Sequence, residues 1–298
     1  MKKQNQMSKI TYGELYRFTL DELNKITQSA SVEAGMLFNY CFGLDRIGVT
    51  VNSDKPADEK GVELLRECIK KRSEHFPIQY ILGKRSFYDY EFIVGEGVLI
   101  PRPETEMLVE QAAEFIRSNN ITTPVIFDLC SGSGCIGITL AKLFPEANVY
   151  CFEKSDIALG FIKKNIELNN VVNVRVIEYD IFDGLPLDLS HPDILVSNPP
   201  YIPTNDISEL ESEVRKEPVM ALDGGTDGLM FYRCICDKWL SLFNKSVFFA
   251  LEFGIDQSGD IAEIFSRVSD NTEILNDFNG IDRVVCGKTD EIQEDNVC

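Results

Sequence analysis

The chain is short of basic charge. Its 298 residues carry 29 Lys and Arg against 48 Asp and Glu, a formal net charge of −19. A protein that grips a phosphate backbone needs basic groups to displace counterions, so stable nucleic-acid binding is not expected. The run Lys70-Lys71-Arg72 reads as a solvated helix face. Histidine is scarcer still, with only His75 and His191. So few imidazoles argue against zinc at Cys130/Cys135 or Cys234/Cys236, and no metal is expected. Both histidines read as surface or structural residues. No apolar run is long enough to span a bilayer. The polar opening, residues 1–6, lacks an apolar core after it, so no secretory signal is expected. Nine cysteines, an odd number scattered in apolar segments, read as reduced core residues. These absences describe a cytoplasmic enzyme with no membrane partner, expected to be a monomer. No internal repeat or low-complexity stretch is evident. The hydrophobic share, 44%, is ordinary for a globular chain, and the length allows two domains.

The most informative feature present is Asn198-Pro199-Pro200-Tyr201. It follows an apolar run, residues 193–197, that reads as a buried strand. Two prolines fix φ twice and supply no N–H, so the loop is stiff and its carbonyls are left to accept. Asn198 adds a side-chain carbonyl, and Tyr201 adds a flat π-face. Such a site can hold a planar NH₂ group by both hydrogens and stack on it. Amide and exocyclic amino nitrogens have that shape. As a dipeptide Asn-Pro is usually only a turn; the full tetrapeptide after a buried strand points to chemistry.

A second constellation lies upstream. Residues 125–129 form a short apolar strand ending Asp128-Leu129, followed by Cys130-Ser131-Gly132-Ser133-Gly134 and a helical stretch, 136–144, stopped by Pro145. A Gly-rich turn between strand and helix lets a ligand approach the backbone N–H groups. The next strand ends at Glu153, an acid placed to accept ribose hydroxyls. A third, 174–179, ends at Asp180-Ile181, where the Asp180 side chain could accept from an adenine amino group. The glycines also spell Gly132-x-Gly134-x-x-Gly137, which alone would favour a nicotinamide or flavin enzyme. Its mid-chain position and the rigid Asn-Pro-Pro-Tyr loop count against hydride transfer. S-adenosylmethionine fits both halves, with a ribose and adenine for one and a methyl sulfonium for the other.

On these residues the chain resembles the glutamine N5-methyltransferases of peptide chain release factors, the PrmC/HemK family. Further blocks carry the resemblance: Pro77-Ile78-Gln79-Tyr80-Ile81-Leu82-Gly83, Ile100-Pro101-Arg102-Pro103-Glu104-Thr105-Glu106, and Glu217-Pro218 through Ala221-Leu222-Asp223-Gly224-Gly225-Thr226-Asp227-Gly228-Leu229. The chain departs from the family where Cys130 and Asp89 replace frequent glycines and where Glu153 replaces a usual Asp. The resemblance implies a release factor as protein partner, its Gly-Gly-Gln glutamine as substrate, and an N-terminal domain that recognises it. A ribosomal-protein glutamine methyltransferase shares the same loop and stays open, as does an adenine-N6 DNA methyltransferase, which would have to flip a base and grip a duplex.

The expected roles follow. Asp128, Cys130, Ser131, Gly132, Ser133, Gly134, Glu153, Asp180, Ile181 and Asn198 hold the cofactor. Asn198, Pro199, Pro200 and Tyr201 hold the substrate amide, with Asn198, Pro199 and Tyr201 carrying catalysis. In the Arg102–Glu106 block, Pro103 and Glu106 are expected near the site.

The expected fold is α/β: an S-adenosylmethionine-dependent methyltransferase sheet of seven mostly parallel strands with helices on both faces, a small N-terminal helical bundle and a linking β-hairpin. Residues 1–83 form the helical domain, and 84–298 the hairpin and methyltransferase domain. In the bundle, Val32, Met36, Leu37, Tyr40, Cys41 and Leu44 read as one core stripe, and Val62, Leu65, Cys68 and Ile69 as another. Residues 53–56 read as a helix start. The linking hairpin spans 87–99 around Gly95-Glu96-Gly97, and a helix covers 104–116. Late strands are expected at 247–252, 272–278 and 282–286, the last two antiparallel. The acidic tail from residue 289 is expected to fray.

Overall fold

A computed structural model of the chain describes residues 10–186, 189 and 191–290. The expectations for residues 1–6 and for the tail from 291 onward lie outside the described residues. Two compact units are present: Met1–Gly83 with Ser212–Lys216, and Lys84–Glu211 with Glu217–Cys298.

The first unit is helical, with α1 (Tyr12–Leu23), α2 (Ala30–Phe42), α3 (Arg46–Val51), α4 (Glu59–Ser73) and α5 (Ile78–Leu82). Local caps fix three of the starts. Thr11 and Glu14 form a reciprocal capping box at α1, and the carboxylates of Asp45 and Asp58 accept from Gly48 and Gly61 N–H. Asp58, not the 53–56 stretch, therefore opens α4. The α4 stripe of Val62, Leu65, Cys68 and Ile69 is buried as expected. The α2 stripe is corrected. Ala30, Ala34, Leu37 and Phe38 face the core, while Val32, Met36 and Tyr40 are exposed. The proposed stripe mixed two faces of the helix, and the one with the small alanines lets neighbouring helices approach. The basic run is corrected too. Lys70 and Lys71 are exposed, but Arg72 is only 1% exposed. Its guanidinium donates from Nε and Nη2 to the two oxygens of Glu33, at 2.7 and 3.1 Å, and from Nη2 to Glu213.

The second unit opens on a hairpin, β1 (Lys84–Phe87) and β2 (Tyr90–Ile93), paired Phe87 to Tyr90. Its turn lies at Tyr88-Asp89, with Tyr88 at φ +53°, and not at Gly95–Gly97. There follow α6 (Glu106–Ser118), β3 (Val125–Leu129), α7 (Cys135–Leu143), β4 (Asn148–Glu153), α8 (Asp156–Asn169), β5 (Val174–Glu178), β6 (Ile194–Ser197), α9 (Met230–Lys238), β7 (Phe248–Glu252), α10 (Ser258–Phe265), β8 (Thr272–Asn276) and β9 (Asp282–Lys288). The seven-stranded sheet has the order β5-β4-β3-β6-β7-β9-β8. All pairings are parallel except those of β9, which is antiparallel to β7 and β8. Strand β8 stops at Asn276 because the Asp277 carboxylate turns back to accept from Asn279 and Ile281 N–H. Thr289 is buried and exchanges hydrogen bonds with Val247, so the chain is still anchored where fraying was expected.

Alternate strand residues divide between two cores. Ile126, Val149, Ile194, Phe248 and Val284 pack with α6, α7 and α8. Phe127, Tyr150, Leu195, Phe249 and Val285 pack with α9 and α10 around Trp239. The period of two in a sheet covered on both faces produces this split. From β3 the chain winds outward through β4 and β5. From β6 it winds the other way through β7. The crevice therefore opens at the carboxyl ends of β3 and β6, where the winding reverses.

Candidate active site

One cavity of about 500 Å³ occupies that crevice, within the second unit. Cys130, Ser131, Gly132 and Ser133 line it from the end of β3, Glu153 from β4, Asp180 and Ile181 after β5, and Asn198 and Pro200 after β6. The volume suits a nucleoside-sized ligand.

The Gly-rich turn is shaped by backbone. Cys130, Gly132 and Gly134 all have positive φ, at +57°, +56° and +79°. A Cβ on Gly132 would meet nothing within 4 Å, so this glycine leaves open space where a side chain would stand. A Cβ on Gly137 would sit 2.6 Å from Cys151 Sγ and 2.9 Å from Asp128 Oδ2, so the helix packs on the strands only because no side chain is there. Cys130 occupies a left-handed conformation that glycine takes more readily. Cys130→Gly is expected to keep the fold, with cofactor affinity changed by no more than about threefold. Cys130→Val puts a β-branched side chain there and is expected to cost about 1–2 kcal/mol. Thermal unfolding and titration calorimetry check both.

Glu153 is fixed by backbone donors on both its oxygens. Its Oε2 accepts from Gly132 N–H at 2.8 Å, and its Oε1 from Lys154 and Ser155 N–H at 2.9 and 2.8 Å. Its side chain thus ties the β4 end to the Gly-rich turn. Asp180 caps Phe182 N–H through Oδ1 and pairs with Lys154 through Oδ2 at 2.6 Å. That pair and the cap hold its carboxyl below the usual range, against the pull of partial burial.

Asp128 does not line the cavity. It is fully buried behind the turn, where Oδ2 accepts from Gly137 N–H at 3.0 Å and Oδ1 has no hydrogen-bond partner. Burial pushes its carboxyl up to about 7. Its place is under the loop, where it fixes the start of α7. Gly134 likewise shapes the turn from outside the lining.

The Asn-Pro-Pro-Tyr loop is braced from several sides. Pro199 and Pro200 are buried. The Tyr201 carbonyl accepts from Gln257 Nε2 at 3.0 Å, and Ile202 N–H donates to Leu222 O at 2.9 Å. A Cβ on Gly228 would fall 2.3 Å from the Tyr201 carbonyl oxygen, so the block after Glu217 supplies a surface against which the loop lies. Asn198 reaches the cavity; Pro199 and Tyr201 do not line it. The Tyr201 hydroxyl points inward at Glu252 Oε1, 3.5 Å away, and burial pushes its pKa up. Its ring is thus held mainly by the core rather than presented to the cavity.

Asn198 heads a polar chain whose other two members, Thr105 and Glu252, were not expected from the sequence. Asn198 Nδ2 donates to Thr105 Oγ1 at 3.0 Å, and Thr105 Oγ1 donates to Glu252 Oε2 at 2.5 Å. Within the Arg102–Glu106 block, Thr105 reaches the cavity, not Pro103 and Glu106, and Pro101 just before the block lines it too. Glu106 instead accepts from Tyr88 N–H at 2.7 Å and closes the hairpin turn, and Arg102 pairs with buried Glu217. Val98, Ile157, Val219, Met220 and Met230 add an apolar part to the rim, beside the polar Lys154, Ser155 and Asp223. Glu252 is an acid at the end of a buried strand, the same signal that singled out Glu153. His191 is structural: Nε2 accepts from Lys245 N–H at 3.2 Å and Nδ1 faces Pro192 O.

The comparisons with known proteins fit this geometry. Residues 14–83 match the PrmC N-terminal domain, and residues 105–217 match the Methyltransferase small domain. The catalytic domain of hMettl16, solved with an RNA hairpin, is 14% identical and has a TM-score of 0.55 over 91% of this chain and 84% of its own; it shares the fold. The release factor glutamine methyltransferase of Geobacter sulfurreducens is 39% identical over 89% of this chain and 91% of its own length. That of Thermodesulfovibrio yellowstonii is 35% identical over 89% and 96%. Similarity at this level along nearly the whole of both chains places the protein in the release factor glutamine methyltransferase family.

Proposed function

We propose that the protein transfers a methyl group from S-adenosylmethionine to the side-chain amide nitrogen of a glutamine, and that the glutamine belongs to a peptide chain release factor. The observation that carries this reading is the Asn198 amide, turned by Thr105 so that its nitrogen is engaged and its carbonyl is left for a ligand. The residues present fit the cofactor. Glu153 has three backbone donors behind it and accepts ribose hydroxyls at its free edge. Asp180 and Ile181 border the adenine, and Cys130 to Ser133 give close backbone approach. S-adenosylmethionine, when bound, supplies an electrophilic methyl on a sulfonium. The chain's own task is placement, from which most of the rate arises. Asn198 Oδ1 and the Pro199 carbonyl accept the two amide hydrogens, which aims the nitrogen and favours its move toward tetrahedral geometry. Pro200 and the apolar rim pack the flat amide and exclude water. Tyr201 backs the loop. The nitrogen loses its proton during or after transfer, so no strong base is needed.

The first unit serves as the release-factor recognition module. The enzyme acts in the cytoplasm as a monomer. The relatives are named for release factor glutamine methylation, and the acidic balance of the chain supports a protein rather than a duplex substrate.

The test offers purified release factor, ribosomal protein and duplex DNA to the enzyme with labelled methyl donor. Label on the release factor glutamine is expected. Label on DNA adenine, or on a ribosomal protein alone, overturns the substrate. A second measurement isolates the cofactor: Glu153→Ala should weaken S-adenosylhomocysteine binding by about 1–3 kcal/mol, the usual loss for charge-assisted hydrogen bonds. Calorimetry reads it, and tight binding of a nicotinamide dinucleotide with none of S-adenosylhomocysteine would sink the assignment.

A further inference from the structure

The Asn198 amide works only if its oxygen, not its nitrogen, is presented to the substrate. The two ends of a primary amide have nearly the same shape, so packing alone does not choose between them. We propose that Glu252 makes that choice, acting through Thr105 as a positioning residue for Asn198. The inference rests on the proposed amide-methylating function and adds a residue to it.

The number of available hydrogens fixes the orientation. Glu252 closes β7 and is 1% exposed. As a carboxylate it can only accept. Thr105 Oγ1 lies 2.5 Å from its Oε2, so the single hydroxyl hydrogen is committed to Glu252. The hydroxyl oxygen then has only lone pairs for its other neighbour, Asn198, 3.0 Å away. Only the NH₂ end can answer. Oδ1 is thereby turned away from Thr105 as the acceptor left to a ligand. A flipped Asn198 would set oxygen against oxygen with no hydrogen between them, a contact that the NH₂ end avoids. Around the carboxylate, Tyr201 directs its hydroxyl at Oε1, and Tyr232 donates to the Glu252 carbonyl at 2.8 Å. Arg283 on β9 and Arg102 before α6 favour its charge, Glu104 opposes it, and Cys135 at the start of α7 feels the same charge.

Protonation reverses the direction. Burial pushes Glu252 up to about 7. A protonated Glu252 can donate to Thr105, whose hydrogen is then free to meet Asn198 Oδ1. The flipped amide becomes satisfied, and the substrate meets an NH₂ instead of a carbonyl. Turnover is therefore expected to fall as pH drops through Glu252's titration, with cofactor affinity little changed.

The experiment measures kcat against pH for methyl transfer, calorimetric binding of S-adenosylhomocysteine, and the Asn198 side-chain NH₂ resonance in unliganded protein. Glu252→Gln can present either end to Thr105 and carries no proton to lose. It should lower kcat about tenfold, as expected for one misdirected hydrogen bond, and flatten the acid limb. Thr105→Val should lower kcat similarly, and Thr105→Ser, which keeps the hydroxyl, should restore most of it. Binding of S-adenosylhomocysteine should stay within about threefold throughout, since Glu153, Asp180 and the Gly-rich turn are left untouched. The Asn198 resonance should titrate with Glu252 in the parent and not in Glu252→Gln. Full kcat with an unchanged acid limb in Glu252→Gln, or full kcat in Thr105→Val, overturns the proposal. The resonance keeps the two readings apart. A parent that methylates no glutamine defeats the function, while an Asn198 signal indifferent to pH and to Glu252→Gln defeats the relay.

Discussion

Asn198→Ala should cut turnover about a hundredfold or more while leaving the fold intact, the typical effect of deleting one preorganised partner of the reacting group. The asymmetry follows from position. Asn198 closes no core; it is partly exposed at the cavity, where its side chain donates to Thr105. Removing it leaves the Thr105 oxygen reachable by water from the cavity side, so stability should fall by no more than about 1 kcal/mol. The rate loses more, because the substrate amide keeps only the Pro199 carbonyl to orient it. Asn198→Asp is the sharper control. It keeps the volume and an acceptor oxygen but has no NH₂ for Thr105, and it places a second carboxylate near Glu252. It should bind cofactor well and align the amide poorly. Steady-state methyl transfer beside thermal unfolding decides the matter. Near-normal methylation by Asn198→Ala would defeat the proposed role of this side chain.

Periodic signals in the sequence led to the right sheet. Short apolar runs separated by helical stretches placed β3, β4, β6 and β7, because a strand buried on both faces has to be apolar throughout, and the short gap between the last two runs placed the β8–β9 pair. Where the reading slipped, a single polar side chain had moved a boundary. Asp58 carries the α4 start past Pro56, Asp277 stops β8 short of Phe278, and Glu106 holds the turn at Tyr88 rather than at the glycines. Helix α2 was harder. Most of its residues are apolar, so no stripe stood out, and the small residues Ala30 and Ala34 decided which face went inward.

The site was legible wherever a strand end carried its own signature. Cys130 to Ser133, Glu153, Asp180, Ile181 and Asn198 come together because consecutive parallel strands deliver their carboxyl ends to one edge. Thr105 and Glu252 could not be paired from sequence. They lie 147 positions apart and meet only when α6 crosses the β7 end. Asp128 and Tyr201 were assigned to ligands on residue type, yet their burial turns both toward supporting the loops. Residue type tells what a side chain can do; burial decides what it is free to do.

The helical unit holds the other large expected effect. Arg72→Ala should destabilise it by about 3–5 kcal/mol, because a buried carboxylate is left without its counter-charge. Glu33, on α2, is 6% exposed and receives two parallel bonds from the guanidinium. The same cation reaches Glu213, in the segment Ser212–Lys216 that belongs to this unit despite its place in the chain. Lys216 lies over the Phe76 ring beside it, at 4.6 Å. Arg72→Lys keeps the charge but not the fork, so it should recover only part of the loss. Glu213→Gln should cost less than about 1 kcal/mol, since that side chain is about a third exposed and solvent screens it. The ranking separates a charge-burial effect from simple loss of packing. If Arg72 served only as filler, Arg72→Met would be silent, whereas an unpaired Glu33 makes it nearly as harmful as Arg72→Ala. Hydrogen exchange on the amides of α2 and α4 reads the unit directly. Unchanged protection in Arg72→Met would show that the Glu33 charge does not need its partner.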